Sequence, residues 1–170
     1  MTSNEAASVK VKTIDGSLSS KVLTFVGVQR AQSVLEPIPT LSAPYVSQAI
    51  VMGTQKWFSV NLMNTEETVG LIWFRPCGTR LNKWTIASVA YAMSPDFEGL
   101  GLTSQALPIA LETMRNKFGV SHFEAKIALS NTRSKRLVQS CGFILTGCHS
   151  MILVNGNWWD YELWSSLCKG

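Results

Sequence analysis

The stretch 94–104 combines residue types that could bind a phosphate group. Gly99 and Gly101 lie between an apolar, β-prone segment at 84–93 and a segment whose apolar residues recur at helical spacing. Glycine allows a positive φ and a close approach of the backbone to a ligand. The helix that opens after these glycines has N–H groups without an intrahelical acceptor, at the positive end of its dipole. The stretch therefore predicts an anion-binding turn between a strand and a helix.

Two other interpretations of these glycines stay open at the level of sequence. Many strand-to-helix turns contain glycine and bind no ligand. A dinucleotide-binding motif would need a third glycine, where this chain has Ser104, and an acidic residue after a second strand, for which Glu124 is the one candidate. The residues therefore favour a simple phosphate site over a dinucleotide site.

Length and charge indicate the class of protein. A chain of 170 residues, 46% of them hydrophobic, can bury a sizeable core. We expect one domain over residues 1–170, with residues 1–8 as a flexible tail. The net charge of +4 comes from scattered basic residues, so no nucleic-acid partner is expected.

The cysteines and histidines do not follow the spacing of a metal centre. The four cysteines contain no C-x-x-C pair, and His122 and His149 form no ligand pattern with them. We therefore expect no metal. The N-terminus lacks the apolar core of a signal peptide, and no apolar run is long enough for a membrane span. These features predict a cytoplasmic protein with reduced thiols and no membrane partner.

Hydrophobic periodicity predicts mainly strands in the first half of the chain. The region 18–31 is ambiguous, because its helical face contains several β-branched residues. The other predicted elements are a strand at 9–14, a proline loop at 36–39, a helix at 42–52 with Ser42 as N-cap, Pro44 in its first turn and Gly53 at its end, and antiparallel strands at 57–62, 69–74 and 84–93 with turns at 64–67 and 76–79.

The second half alternates helices and strands. A helix follows the glycine turn and ends at Gly119, with Pro108 beyond its first turn, where it should kink the helix or delay its start. The strand at 123–127 should lie parallel to the strand that precedes this helix. Asn131 is expected to cap a second helix that stops at Gly142. Segments 143–154 and 158–167 then form a hairpin around an Asn-Gly turn.

Three of these stretches match one family in order and spacing. They are YAMSPDFEGLGLTSQAL at 91–107, NTRSKRL at 131–137 followed by CGF at 141–143, and VNGNWWD at 154–160. The chain resembles the GNAT superfamily of acyl-CoA-dependent N-acetyltransferases, in the branch related to ribosomal-protein N-terminal (Rim-type) acetyltransferases. The resemblance extends over about residues 66 to 167, whereas the first 55 residues match poorly.

The resemblance implies a fold and an activity. The fold would be α/β and GNAT-like, with a mixed, mostly antiparallel sheet and helices on both faces. The activity would be transfer of acetyl from acetyl-CoA, as cosubstrate, to a primary amine by direct attack. The amine would belong to a protein N-terminus or to a small molecule, and the protein would be a monomer or homodimer. The alternative is a catalytically impaired CoA-binding sensor or interaction module of the same fold.

The resemblance also implies a set of site residues. Backbone N–H groups at 100–104 would bind the pyrophosphate, and those of Ala92 or Met93, in a β-bulge, would meet the thioester carbonyl. Ser134 would give a proton to the leaving thiolate. The candidates for the general base are Tyr91 and, as alternatives to it, Asp160 and Tyr161. The implied cofactor contacts are Ala92, Met93, Leu100, Gly101, Leu102, Thr103, Ser104, Asn131, Ser134 and Arg136.

Four positions depart from the family pattern. Glu98 stands where the loop usually has a basic or amide residue, and Thr103 takes a position that is usually small. Ser88 replaces a glutamate that serves as base, and Val138 replaces a tyrosine on the second helix. These departures leave the general base unidentified, and the extra negative charge predicts a modest affinity for CoA.

Overall fold

The described part of the chain forms one seven-stranded sheet with helices packed on it. The computed structural model describes residues 7–15, 48, 50–80, 83–152 and 158–167. The strand order is β1-β2-β3-β4-β5-β7-β6, and every neighbouring pair is antiparallel except β4 and β5. This confirms the predicted mixed, mostly antiparallel sheet. The strands are β1 (Val9–Ile14), β2 (Lys56–Leu62), β3 (Thr68–Arg80), β4 (Lys83–Met93), β5 (His122–Ala128), β6 (Ile144–Ile152) and β7 (Trp158–Leu167), and the helices are α1 (Leu102–Phe118) and α2 (Thr132–Ser140), with a 3-10 turn at Pro95–Phe97.

Alternating side chains give the sheet two buried faces. On one face Phe58 and Phe74 meet edge to face, with ring centroids 5.6 Å apart, inside the core that α1 covers. On the other face Trp57 and Trp73 stack at 4.9 Å, and the helical residue Ile50 packs against them. Helices therefore contact both faces, as predicted. The residues that α1 buries are Leu102, Ala106, Leu107, Ala110, Leu111 and Met114.

Two glycines set the limits of α1. Gly101 precedes its first turn with φ +73°, and Gly119 ends it with φ +70°, donating its N–H to the carbonyls of Met114 and Arg115. Both ends are confirmed as predicted. Pro108 lies inside the helix but does not delay its start, because α1 already begins at Leu102.

Strands β4 and β5 separate soon after they pair. Their parallel ladder runs from Ile86–His122 to Ser88–Glu124 and then ends. Beyond this point β4 continues to pair with β3, and β5 with β7, so a gap opens between the two strands. The parallel arrangement was predicted, but the β-bulge at Ala92 or Met93 was not correct. The β3–β4 register is regular there, and the separation itself opens the sheet.

The predicted loop at 76–79 is wrong, because these residues belong to β3. Pro76 pairs with Ala87, and the register shifts at Pro76/Gly78 and again at Gly78/Thr79. The pairing of β3 with β2 ends at Phe74. Proline is tolerated beyond that residue because its missing N–H removes no bond to β2. Long-range pairing with β4 therefore overrides the local turn signal.

Other predicted elements are confirmed where the structure describes them. Gly53, with φ +66°, follows a helical turn in which the N–H of Met52 donates to the carbonyl of Gln48 at 2.9 Å. Glu66 takes φ +59° in the turn between β2 and β3. The segments 18–31 and 36–39, the residues Ser42 and Pro44, and the turn at 155–156 lie outside the described residues.

A charged network holds α2 against the sheet. Lys135 Nζ donates to Glu162 on β7 and to the carbonyl of Leu129, both at 2.7 Å. Trp164 Nε1 donates to the other carboxylate oxygen of Glu162 at 2.9 Å. The hydrogen bond from Lys135, and after it the one from Trp164, lowers the pKa of the Glu162 carboxyl. Since Val138 of α2 is fully buried in the core, the network and the core together fix this helix.

We predict that Glu162→Gln lowers the free energy of unfolding at neutral pH by about 1 kcal/mol, because charge-assisted hydrogen bonds are lost. The folded-state pKa of Glu162 lies below its unfolded value. Its stabilisation is therefore present above the unfolded pKa, about 4.3, and is lost as the pH falls through the folded one. Urea denaturation should show the two proteins converging as the pH falls below about 4. Glu112→Gln, on an exposed position of α1, is the control, and a difference that does not narrow as the pH falls would contradict the assignment.

Candidate active site

The gap between β4 and β5 opens into a cleft of about 1000 Å³. Its walls come from the end of β4, the loop and first turn of α1, and the junction from β5 into α2. The lining residues are Tyr91, Ala92, Met93, Phe97, Glu98, Gly99, Gly101, Leu102, Thr103, Ser104, Ala128, Ser130, Asn131, Thr132, Arg133, Ser134, Arg136, Leu137 and Ser140. Three segments that are far apart in sequence therefore meet around one cavity.

The structure brings together Tyr91, Ser134 and all the cofactor contacts predicted from sequence except one. Leu100 does not line the cleft, and its side chain is 58% exposed. Phe97, Ser130 and Thr132 line it without having been predicted. Their signal in the sequence was only their position beside the glycine loop and beside Asn131, at the two junctions from strand to helix.

The first turn of α1 faces this cleft with donors that the helix cannot use. Gln105 is the first residue whose N–H bonds back within the helix, to the carbonyl of Gly101 at 3.3 Å. The amides of Leu102, Thr103 and Ser104 precede it and have no intrahelical acceptor. The first turn contains no acidic residue. A Cβ built on Gly99 or Gly101 would meet no atom within 4 Å, so it is their positive φ, and not crowding, that calls for glycine.

Helix α2 begins at the opposite wall. The side-chain oxygen of Asn131 accepts the N–H of Ser134 at 3.0 Å, which confirms the predicted cap. This bond fixes Ser134 in the first turn of α2, where it lines the cleft. Two helix N-termini therefore converge on one cavity, and both favour negative charge there.

An ion pair joins the two walls. Arg133 Nη1 lies 3.0 Å from Glu98 Oε2, with both side chains more than half exposed. Arg136, which follows Arg133 by three residues on α2, also lines the cleft. An arginine from α2 therefore offsets the charge of Glu98, although both side chains remain exposed to solvent. Such an exposed pair contributes little to stability, but both of its residues line the cleft.

The floor of the opening depends on close packing between β3 and β4. Gly70 pairs with Met93, and a Cβ at Gly70 would lie 2.6 Å from Met93 Sδ and 3.0 Å from the carbonyl oxygen of Ala92. A larger residue at this position would force the Met93 side chain to move and would press on the backbone of Ala92. Tyr91 is half-buried, packs against the core, and lines the same wall.

Several residues considered from sequence lie away from the cleft. Ser88 is buried where β4 and β5 still pair, and Val138 is fully buried in the core. Cys141 packs against that core, and burial raises the pKa of its thiol. Asp160 accepts a hydrogen bond from Ser150 at 2.5 Å, and Tyr161 stacks between His149 and Trp159.

The cleft has the properties of a site for an extended anion. Backbone donors and Arg136 supply positive potential, and the part of the cleft beside β4 is lined by Ala92 and Met93. Among the described residues, no three His, Cys, Asp or Glu side chains are grouped so as to hold a metal ion. No helix in the described segments is long and apolar enough to cross a membrane.

Comparison with known proteins shows what the chain is similar to. A family model described as an acetyltransferase (GNAT) domain matches residues 30–144. None of the curated proteins matches the chain by sequence. The match extends over more than half of the chain and includes the glycine loop and both helix N-termini.

Solved structures of this fold superpose on nearly the whole chain. The ribosomal-protein-S5-alanine acetyltransferase of Vibrio fischeri has a TM-score of 0.72 at 19% identity, covering 94% of this chain and 92% of that one. The ribosomal L7/L12 α-N-protein acetyltransferase RimL, in complex with coenzyme A, has a TM-score of 0.74 at 20% identity, covering 95% and 94%. A spermidine N-acetyltransferase chimera from Vibrio cholerae and hSSAT has a TM-score of 0.72 at 16% identity, covering 94% and 95%. The predicted GNAT-like fold is confirmed, and the similar structures include the predicted Rim-type branch.

Proposed function

We propose that this chain, which belongs to the acetyltransferase (GNAT) family, acetylates the α-amine of a peptide or protein N-terminus with acetyl-CoA as donor. Family membership establishes the chain as an acetyltransferase, as the sequence predicted. One observation supports the donor site above all others. The unused amides of α1, the start of α2 and the gap beside β4 line a single cleft.

The cleft residues fit the parts of CoA. The amides of Leu102, Thr103 and Ser104 suit the diphosphate, because three adjacent donors face the cavity at a helix N-terminus. Arg136, with Arg133, suits the 3′-phosphate. The two amides of the pantetheine arm match an extended strand edge, so the arm would lie along β4, with the thioester carbonyl at the backbone of Ala92 or Met93.

Two hydroxyl groups on opposite walls are proposed to act in the chemistry. Ser134 lies at the start of α2 and would give a proton to the departing thiolate. Tyr91 lies on β4 and would contact the reacting acetyl group or the amine. Bound acetyl-CoA supplies the activated acetyl group, and these side chains orient it and move protons.

The distribution of carboxylates favours an α-amine over a polyamine. Of the eleven acidic residues, only Glu5 and Glu36 lie outside the described part of the chain. Within the described part, Glu98 and Glu162 are each paired with a basic residue. A polycation needs several convergent negative charges, whereas an α-amine, with a pKa of about 8, carries a single charge and needs no such cluster. The cysteines of the described segments, Cys77, Cys141 and Cys148, are free thiols, which suits the cytoplasm, where we place the reaction.

We predict that the protein releases CoA when it is supplied with acetyl-CoA and a short peptide that has a free N-terminus. Spermidine should be turned over at least about tenfold more slowly, because its second and third charges find no partner. Thiol release measured with both acceptors checks this, and the same peptide with an acetylated N-terminus is the control. Turnover of spermidine alone would refute the proposed acceptor, and tight CoA binding without any turnover would favour a binding module.

We predict that Gly101→Ala weakens CoA binding about tenfold, because φ +73° is costly for alanine and relaxation would turn the α1 amides away. Gly119→Ala is the matched control. It has φ +70° and equally open space around a new Cβ, but it lies at the far end of α1. Both variants should lose about 1 kcal/mol of stability. Calorimetry that shows the same CoA affinity for both variants would exclude the diphosphate site.

We predict that Glu98→Gln tightens CoA binding about fivefold at low salt, because it removes a negative charge beside the diphosphate and releases Arg133. The gain should shrink below about twofold in 0.5 M NaCl, since both groups are exposed. Arg133→Gln should weaken binding under the same conditions. Titrations that find no effect of either change at low salt would place the phosphates elsewhere.

A further inference from the structure

We infer that Glu124 is the general base of the acetyl transfer and accepts a proton from the acceptor amine through the gap between β4 and β5. This inference rests on the proposed function, because it names the base for that reaction. It also accounts for Ser88, which occupies the position where the resemblance led us to expect a glutamate.

The strand register places Glu124 beside the missing base. Ser88 and Glu124 are partners in the last pair of the β4–β5 ladder, immediately before the gap opens. Neighbouring strands lie about 4.8 Å apart, so the carboxylate is displaced by only one strand from the expected position. Because Ser88 has a small side chain, the longer side chain of Glu124 has room above this residue pair.

The direction of the side chain suits an acceptor. Phe123 and Ala125, on either side of Glu124, are buried in the core under α1. Because strand residues alternate, Glu124 projects from the opposite face. The cleft for the donor lies on the α1 and α2 face. An amine that enters from the opposite face would therefore reach the thioester through the gap, with Glu124 on its own side.

The distance calls for a short chain of water molecules. Ala92, whose backbone is proposed to meet the thioester carbonyl, lies four residues beyond Ser88, or about 13 Å along the strand. Because the glutamate side chain projects from the sheet and not along it, water molecules in the gap would connect the carboxylate with the acceptor amine. Glu124 is partly exposed, so a water molecule has access to it.

The groups around Glu124 are charged or polar on every neighbouring strand. Arg75 pairs with Ser88 in the register, and Ser165 pairs with Glu124. His122 lies two residues earlier on β5, on the closed side of the ladder, and pairs with Ile86. Burial, and after it the negative charge of Glu124, raises the pKa of the Cys77 thiol. The charged and titratable neighbours are therefore Arg75 and Cys77 on β3 and His122 and Lys126 on β5, whereas β4 and β7 contribute Ser88 and Ser165.

The reaction balances with Glu124 as base. The ammonium group of the acceptor loses one proton through water to the carboxylate, and the neutral nitrogen attacks the carbonyl carbon to form a C–N bond. The tetrahedral intermediate collapses, the C–S bond breaks, and the second nitrogen proton passes to sulfur by way of Ser134. The products are the N-acetyl peptide and CoA thiol, and the proton on Glu124 returns to solvent.

The pH profile of Glu124→Gln tests the assignment. At pH 6.5 the variant should lose about 100-fold in kcat/KM for the peptide, within the range of a missing general base. The loss should fall below about tenfold at pH 9, because an α-amine with a pKa near 8 is then already neutral. Calorimetry should find the same affinity for CoA as in the wild-type protein, since Glu124 does not line the cleft.

Three further variants make the outcome specific. Glu124→Asp should keep the wild-type shape of the profile at a lower rate, and Ser88→Glu combined with Glu124→Gln should restore part of the loss at pH 6.5. His122→Gln should leave the profile unchanged. A Glu124→Gln profile parallel to that of the wild-type protein would overturn the assignment but leave the proposed function in place. A wild-type protein that binds no CoA would overturn both.

Alkylation of Cys77 gives a measurement that does not depend on turnover. Glu124→Gln removes a negative charge near the thiol, so the pH dependence of iodoacetamide labelling at Cys77 should shift to lower pH. Labelling followed by mass spectrometry separates Cys77 from the other cysteines. An unchanged labelling profile would mean that the carboxylate does not lie at this end of the ladder, which would also overturn the assignment.

Discussion

The backbone donors at the start of α1 depend on where β4 ends. A helix always leaves its first N–H groups without internal partners, but those groups can bind a ligand only if the chain before them leaves room. Here Gly99 and Gly101 turn the backbone through positive φ, and the first turn of α1 then faces the gap beside β4. The separation of β4 from β5 supplies the other half of the site. A charged group at the helix and an extended chain in the gap can therefore belong to one molecule.

The second wall is held in place by interactions remote from the cleft. Lys135 and Glu162 bind α2 to β7, Val138 anchors it in the core, and Asn131 caps its first turn. None of these interactions is itself unusual. Together they fix the distance between the two helix N-termini, and the exposed pair of Glu98 and Arg133 links the two walls. Substitutions in the network around Glu162 should therefore change stability, whereas substitutions in the glycine loop should change ligand affinity.

Local signals in the sequence predicted the parts of this arrangement that depend on local physics. Gly119 predicts the end of α1 because glycine readily adopts the positive φ of a helix C-cap. Asn131 predicts the start of α2 because its side chain can accept a backbone N–H of the first turn. The prediction of a loop at 76–79 was wrong because long-range contacts decide the structure there. Pairing with β4 over a long hairpin outweighs the turn preference of Pro76 and Gly78. The prediction of a bulge at Ala92 or Met93 was also wrong, because β4 separates from β5 without any local irregularity in its own backbone pairing.

Glu124 shows most clearly what sequence leaves undetermined. Along the chain it is 36 positions from Ser88, and only the parallel register makes the two residues partners. A parallel pair is joined through a crossover helix, so its register depends on packing rather than on a turn. The sequence alone therefore indicates for Glu124 only a weak dinucleotide motif. Its proposed role in proton transfer depends on its position at the start of the gap.

The account depends on amides at the start of α1 binding a diphosphate, and NMR spectroscopy of the amide groups tests this most directly. In a titration of the ¹⁵N-labelled protein with CoA, the resonances of Leu102, Thr103 and Ser104 should shift the most, while those of Lys117 and Phe118, at the other end of α1, should stay in place. Pantetheine, which lacks the diphosphate, should leave the first group unchanged. If CoA left the amides at the start of α1 unmoved while it shifted others, the central claim would be contradicted.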